Sequence, residues 1–319
     1  MRKMAVVIRE LTADHRGQIR AAAERHGFDV RFFDTPEEGN EFLREAEVVF
    51  GHLPETARTS HVLRWICTPY AGADQFMLPG AFANPNALLS NSSGAYGVTI
   101  AEHTVMVLLE ILRRRDEYRK IVDRREWRRD LTVRSIKGAR ITLAGTGDIG
   151  QETALRLRAF SPAGITGINR SGRNPGGIFD RVLSGETWEA VLPETDVLII
   201  SLPGTKETVH MFGEKQLALL PDGAVIINVG RGSVIDQQAL VKELQHKRLY
   251  AGLDVFEQEP PAQDDPVWDL ENLLITPHTA GNMTLRHTVN RIVELFLEDL
   301  ENYCAGRTPE RLVDRNAGY

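Results

Sequence analysis

Short apolar runs rich in Val and Ile recur along the chain, each followed by a stretch whose apolar residues return every three or four positions. The first series comprises 4–8 (MAVVI) with a helical pattern over 13–26, then 30–33 (VRFF), 48–50 (VVF) and 65–67 (WIC). A cleaner series follows Arg140: 141–144 (ITLA), 165–169 (ITGIN), 197–201 (VLIIS), 225–228 (VIIN), 250–254 (YAGLD) and 273–276 (LLIT). Runs of this length bounded by turn residues read as strands, and strands alternating with helices predict parallel sheets. Six strands in the second series match a doubly wound α/β fold. Between the series, SSGAYGVTIAEH at 92–103 opens an apolar-faced helix expected to run on to Tyr118, with Ser93, Gly94 and Gly97 as hinge and cap. Another long helical pattern covers 283–303, and a polar tail with Gly306 and Pro309 comes after it.

A chain of 319 residues exceeds one ordinary core, so two domains are expected. With 42% hydrophobic and 26% charged residues it has the means to bury both cores. The formal charge of -6 argues against nucleic acid or an anionic membrane as partner, because each requires a basic face. Residues 113–129 hold nine Lys/Arg against four Asp/Glu, yet Asp116, Glu117, Asp123 and Glu126 are interleaved at helical pair spacing. That pattern predicts a solvated, salt-bridged helix end. The longest apolar stretch, 105–112, is interrupted by Glu110 and falls well short of the ~20 residues of a membrane span. The start, MRKMAVVIRE, has no signal-peptide core, and Cys67 and Cys304 are too few for a disulfide framework, so a reducing, cytoplasmic location is expected. None of the nine histidines forms HxH or HExxH, and no metal site is expected; His103 reads as structural.

The strongest local signal is Gly145-Thr146-Gly147-Asp148-Ile149-Gly150, which directly follows a strand pattern and directly opens a helical one. Gly145 permits the tight turn, Gly147 lets backbone approach a pyrophosphate, and Gly150 lets helix and strand pack closely. Asp148 must point its carboxylate away from such an anion. Where the second strand ends, an acidic residue would accept bonds from an adenosine ribose and mark NAD. This chain has Asn169 there, followed by Arg170, Ser171 and Arg173. The repelling charge is gone and guanidiniums are at hand for a 2′-phosphate, so NADP(H) is the expected cofactor, with NAD(H) as the alternative.

Three further segments, NVGRGSVID at 228–236, AGLDVFEQEP at 251–260 and PHTAG at 277–281, lie at predicted strand ends, and SLPGTKET occupies 201–208. With GTGDIG and SSGAYGVTIAEH, in this order and over nearly the whole chain, they resemble the D-isomer-specific 2-hydroxyacid dehydrogenase family. The resemblance implies that Arg231 is the substrate arginine, Glu259 the catalytic glutamate and His278 the catalytic histidine. Reducing a 2-oxo acid takes a hydride on the carbonyl carbon, a proton on its oxygen and a cation for the carboxylate, and these residue types suit that task. Spacing alone does not separate Glu259 from Glu257; the family pattern favours Glu259, directly before Pro260. The same resemblance implies that Asp254, Val229 and Gly281 lie near the nicotinamide carboxamide, and that Leu202 and Pro203 cover the adenosine and pyrophosphate. It further implies a carboxylate-binding loop at Tyr70-Ala71-Gly72-Ala73-Asp74 and a selectivity position at Leu53.

The expected architecture is α/β, two doubly wound parallel-sheet domains, with a Rossmann cofactor domain (96–283) inserted in a flavodoxin-like substrate domain (1–95 and 284–319). The helix after Tyr96 is where family members form a two-fold dimer, so a homodimer is expected, and Trp127 resembles a residue that in some members reaches the partner's active site. Glyoxylate and hydroxypyruvate rank first as substrates, because Leu53 implies a small uncharged pocket and NADPH favours reduction. D-3-phosphoglycerate oxidation ranks second and D-lactate chemistry third. From a different class, the corepressors that share this fold supply the alternative of a non-catalytic nucleotide-sensing protein.

Overall fold

A computed structural model describes residues 1–73, 76 and 80–315 of the chain. They divide into two compact units, Met1–Tyr96 with Asn282–Tyr319, and Gly97–Gly281. The first contains β1 (Arg2–Val7), α1 (Ala13–Arg25), β2 (Phe28–Phe33), α2 (Asn40–Arg44), β3 (Val48–Gly51), α3 (Glu55–Arg58), β4 (Trp65–Cys67) and β5 (Leu88–Ser90). The second contains α4 (Gly97–Leu112), α5 (Arg115–Asp123), β6 (Arg140–Ala144), α6 (Asp148–Arg158), β7 (Gly164–Ile168), β8 (Arg181–Leu183) and β9 (Val197–Ile200). It continues through α7 (Glu214–Leu219), β10 (Val225–Asn228), α8 (Gln237–Gln245), β11 (Tyr250–Leu253) and β12 (Leu273–Ile275), and α9 (Arg286–Cys304) returns to the first unit.

The first unit's sheet has the order β2-β1-β3-β4-β5, all parallel, so the winding reverses between β1 and β3. Strands β3 and β4 are buried at every position, which is why they read as unbroken apolar runs. Helix α1 starts at Thr12, whose hydroxyl accepts from His15 N while His15 Nδ1 accepts from Thr12 N, a reciprocal cap made with histidine in place of the usual Glu or Gln. Helix α9 buries Val289, Ile292, Val293, Phe296 and Leu300, one stripe at helical spacing. Phe296 stacks on Phe50 with 3.8 Å between ring centroids and faces Trp65, so the last helix closes the core begun by the first strands.

The second unit's sheet has the order β12-β11-β10-β9-β6-β7-β8, again all parallel, and reverses between β6 and β9. It has seven strands where the apolar pattern predicts six. The added one, β8, is a three-residue edge strand, and β5, at the edge of the other sheet, is also unannounced by the sequence pattern. Edge strands this short carry too few alternating positions to register. The helix expected over 97–118 is two helices: α4 ends at Leu112, Arg114 adopts a left-handed φ of 53°, and α5 follows. Beyond Leu112 the RRRDE stretch has no apolar face with which to continue the buried stripe. The charges of this segment and the residues after it pair locally, Lys120 with Asp116, Arg119 with Asp123 and Arg128 with Asp130, all on half-exposed side chains. No helix among the described residues is long and apolar enough to cross a membrane.

Candidate active site

In doubly wound sheets ligands bind outside the carboxyl ends of the strands, where the winding reverses. The glycine turn lies at that point, after β6. Gly145 has φ 105°, its N–H donates to Ile168 O at 2.9 Å, and a Cβ on Gly150 would collide with the carbonyl of Gly145. Close approach therefore excludes any side chain at 150 and brings the first turn of α6 against the strand end. Gly147 is the N-cap of α6, makes no side-chain cap and faces open space, so the helix's first amides and an unobstructed backbone suit a pyrophosphate. The Asp148 carboxylate lies against Gly97 at the start of α4, and Ile149 is half-buried.

Asn169 ends β7's run into an exposed turn. Its Nδ2 donates to Thr146 Oγ1 at 2.6 Å and to Arg173 O at 2.8 Å, and its Oδ1 accepts from Gly172 N at 2.7 Å. The carboxamide is thus spent in tying the 169–173 turn to the glycine loop. Ser171 Oγ caps the same turn, accepting from Arg173 N at 3.3 Å. The exposed Arg170 guanidinium lies 3.9 Å from Glu207, on the loop after β9.

The loops after β9, β10 and β11 touch one another through glycines. A Cβ on Gly230 would meet Leu202 O at 2.5 Å, and one on Gly232 would overlap the Phe256 carbonyl. Arg231, held between them, therefore rests on a loop pressed against both Leu202 and the backbone of Phe256 and Glu257. Asn228, fully buried, fixes that loop: its Nδ2 donates to Arg231 O at 2.9 Å and its Oδ1 accepts from Gly230 N at 3.0 Å. Val229 is buried and pairs with Ile200 O. Arg231 is half-buried, and its Nη1 donates to Gly230 O at 2.8 Å.

Glu259 and His278 meet: Nδ1 of the imidazole is 2.6 Å from Oε2 of the carboxylate, whose Oε1 accepts from Phe256 N at 3.0 Å. The second carboxylate in the segment goes elsewhere. Glu257 Oε1 binds His210 Nε2 at 2.7 Å and Gln237 N at 3.1 Å. Geometry thus separates two residues that spacing could not. His278 is half-exposed, with Nδ1 occupied and Nε2 left as the ring nitrogen that can face a reactant.

His278 has a left-handed φ of 51°, uncommon for a non-glycine residue and maintained only by its surroundings. Its N–H donates to Asp254 O at 2.9 Å and Thr276 O at 3.0 Å. The Asp254 side chain, 4% exposed, accepts from Thr276 Oγ1 at 2.6 Å, Thr279 N at 2.9 Å and Ala280 N at 3.0 Å. Asp254 organises the PHTAG loop on both sides of His278, and Gly281 closes that loop half-buried. Sequence reasoning took His103 as structural without locating it; its Nε2 is 3.1 Å from Thr276 Oγ1. Because Thr276 gives its only hydroxyl proton to Asp254, His103 Nε2 donates to the Thr276 oxygen. Burial lowers the basicity of the ring, against the opposing pull of Asp254 and Glu110. Nothing in the sequence signals this relay except the nearness of AEH to a helix start.

The remaining expected site residues belong to the first unit. Leu53 packs partly buried against that unit's core. Tyr70 O accepts from Ser92 N at 2.9 Å and Ala71 O from Asn91 Nδ2 at 2.8 Å. In a trans peptide the N–H opposes the C=O, so the N–H groups of Ala71 and Gly72 point away from Asn91 and Ser92. Asp74 lies outside the described residues.

A glycine turn at the reversal of a parallel sheet, with an arginine and a Glu–His pair on neighbouring strand ends, defines a nucleotide-dependent oxidoreductase of the doubly wound class. A sequence model for the D-isomer specific 2-hydroxyacid dehydrogenase NAD binding domain matches residues 105–280. Glyoxylate/hydroxypyruvate reductase B of Serratia proteamaculans is 30% identical over 328 residues, 98% of this chain and 98% of that one. Among solved structures, a D-isomer specific 2-hydroxyacid dehydrogenase family protein from Aeromonas salmonicida superposes with a TM-score of 0.85 at 28% identity, covering 98% of this chain and 99% of the other. An NADPH-dependent glyoxylate/hydroxypyruvate reductase from Sinorhizobium meliloti, in complex with NADP and sulfate, gives 0.81 at 25% identity with full coverage of both chains. The chain belongs to the D-isomer specific 2-hydroxyacid dehydrogenases and is an NAD(P)-dependent enzyme of that family.

Proposed function

We propose that the enzyme reduces glyoxylate and hydroxypyruvate with NADP(H), using Arg231, Glu259 and His278. The observation that carries the reading is the 2.6 Å His278–Glu259 pair, on a segment against which the Arg231 loop is pressed through Gly232. When bound, the reduced nicotinamide supplies the hydride that the carbonyl carbon receives. Glu259 holds Nδ1 and so fixes the ring orientation, His278 donates the proton at Nε2 to the carbonyl oxygen, and the C=O becomes a C–OH. Arg231 binds the carboxylate and draws electron density from the carbonyl.

For the cofactor, Gly145, Gly147, Ile149 and Gly150 supply the pyrophosphate cradle, with Asp148 turned aside. Arg170 and Ser171 are assigned to the 2′-phosphate on the turn that Asn169 organises. Leu202, Pro203, Val229, Asp254 and Gly281 line the rest of the nucleotide's path. The Sinorhizobium relative's NADP complex supports this preference. Within the division at Tyr96/Gly97 and Gly281/Asn282, the first unit is assigned to substrate, through Leu53 and the amides of Ala71 and Gly72, and the second to cofactor. The same reading includes a homodimer in which Trp127, 92% exposed, and Met106 on α4 are covered by a second copy; sedimentation showing only monomer at micromolar concentration would remove it.

The test is consumption of NADPH and of NADH, measured separately, against glyoxylate, hydroxypyruvate, pyruvate and phosphohydroxypyruvate. Stronger use of NADH would overturn the cofactor assignment, and preference for the phosphorylated acid would overturn the substrate. Replacing His278 by Ala should lower turnover by roughly 10²- to 10⁴-fold; near wild-type turnover would remove it as proton donor.

A further inference from the structure

A second imidazole–carboxylate pair lies on the segment that carries Glu259. Glu257 Oε1 accepts from His210 Nε2 at 2.7 Å and from Gln237 N at 3.1 Å. The Glu257 N–H donates to Gln237 Oε1 at 3.2 Å, so Gln237, the first residue of α8, holds it by backbone and side chain at once. Gln237 is held in turn through Nε2 by Asp265 at 3.2 Å. All of these residues belong to the second unit, with Arg231, Glu259 and His278.

His210 joins the two loops that carry those three. It adopts a left-handed φ of 51°, which few non-glycine residues take and which its contacts must maintain. Its N–H donates to Ser233 O at 2.8 Å, and Phe212 N donates to Val234 O at 3.1 Å. Both carbonyls lie on the continuation of the Arg231 loop. The backbone of His210 therefore holds that loop while its ring holds the Glu259 segment.

The path from His210 to the proton donor is short. Gly232 has no room for a Cβ against the Phe256 carbonyl and Glu257 N, so the two backbones touch there. Phe256 N donates to Glu259 Oε1 at 3.0 Å, and Glu259 Oε2 is 2.6 Å from His278 Nδ1. Releasing Glu257 frees the 256–257 backbone, and with it the N–H against which Glu259 is oriented. With side chains 49% and 33% exposed, the His210–Glu257 bond contributes little as a surface ion pair, so its effect is felt in geometry more than in stability.

We propose that His210 is a positioning residue for the reduction: through Glu257 it orients the Glu259 carboxylate that fixes the His278 ring. This rests on the reading above that Glu259 and His278 move the proton, and it requires no contact of His210 with substrate or cofactor.

The experiment measures kcat with NADPH and hydroxypyruvate or glyoxylate, the Kd of NADPH by titration of its fluorescence, and circular dichroism melts. The variants are His210→Phe, His210→Gln and Glu257→Ala, with His210→Phe and Glu257→Ala each repeated in a His278→Ala background. His210→Phe and Glu257→Ala should each lower kcat by roughly 10- to 100-fold, as a displacement of up to about 1 Å in a catalytic group does, with the Kd of NADPH unchanged and Tm little changed. His210→Gln meets the same left-handed backbone but keeps an amide N–H at the reach of Nε2, and should recover most of the rate. In the His278→Ala background neither substitution should lower kcat further, because the carboxylate then has no ring to orient. Wild-type kcat in His210→Phe, or an equal loss in both backgrounds, would overturn this inference and leave the catalytic assignment standing. Near wild-type turnover by His278→Ala alone, or no turnover of either acid by the wild type, would overturn the assignment itself and this inference with it. Glu257→Ala carries the same comparison if His210→Phe does not fold.

Discussion

Replacing Asp254 by Asn changes one atom of the group that shapes the His278 loop. The carboxylate accepts three hydrogen bonds while 4% exposed. An Asn oxygen turned toward Thr276 and Thr279 places its NH2 against the Ala280 N–H, donor facing donor across 3.0 Å. Leaving a buried N–H unmade costs about 1–3 kcal/mol, and the two surviving bonds lose the charge that roughly doubled their strength, about 1 kcal/mol each. The sum is about 3–5 kcal/mol, and at about 2–4 °C per kcal/mol for a unit of this size, Tm should fall by about 6–20 °C. Because His278 sits between the bonded residues, kcat should also fall, by roughly 10²-fold if the ring moves by about 1 Å. Thermal unfolding, amide exchange at Thr279 and Ala280, and steady-state kinetics would measure the three effects. A variant that melts with the wild type and keeps slow exchange at those amides refutes the argument that Asp254 holds this loop, whatever happens to the rate.

Arg170→Ala should raise KM for NADPH by about tenfold, the loss of one charge-assisted bond, and leave KM for NADH alone; equal effects on both would detach Arg170 from the 2′-phosphate. The hydrogen bond from Arg2, helped by Tyr303, holds the Glu47 carboxyl below its ordinary value of 4.5 against partial burial. A lowered carboxyl stabilises the fold above the unfolded value and loses that contribution as pH falls through the folded one. Glu47→Gln should therefore melt below wild type at neutral pH, with the gap closing under acid; a gap that does not change with pH would contradict the linkage. Burial pushes the Cys67 thiol up to about 12. Native protein treated with a thiol reagent at neutral pH should stay unmodified at Cys67 by mass spectrometry and become modified once denaturant is added.

Much of the fold was legible because its strands are buried on both faces. VVFG, WIC, VLII and VIIN announce themselves as apolar runs with no help from distant residues. The glycine turn was legible for a similar reason: a tight turn and a close helix approach are local demands that restrict residue type within six positions. The break at Arg114 and the edge strands β5 and β8 were not, since each depends on where a neighbouring element stops offering something to pack against or pair with.

The sequence by itself determined which loops gather residue types suited to binding anions and moving protons, at strand ends and in one order. Only the tertiary structure decided their partners. Glu257 and Glu259 are two positions apart, and it is the placement of His210 and His278 that sends one to each. His103 reaches Thr276 across 173 residues, and Asn169 turns inward to hold its own loop. Such pairings are set by strand order and glycine contacts between segments distant along the chain, and no local pattern of residues encodes a distance between them.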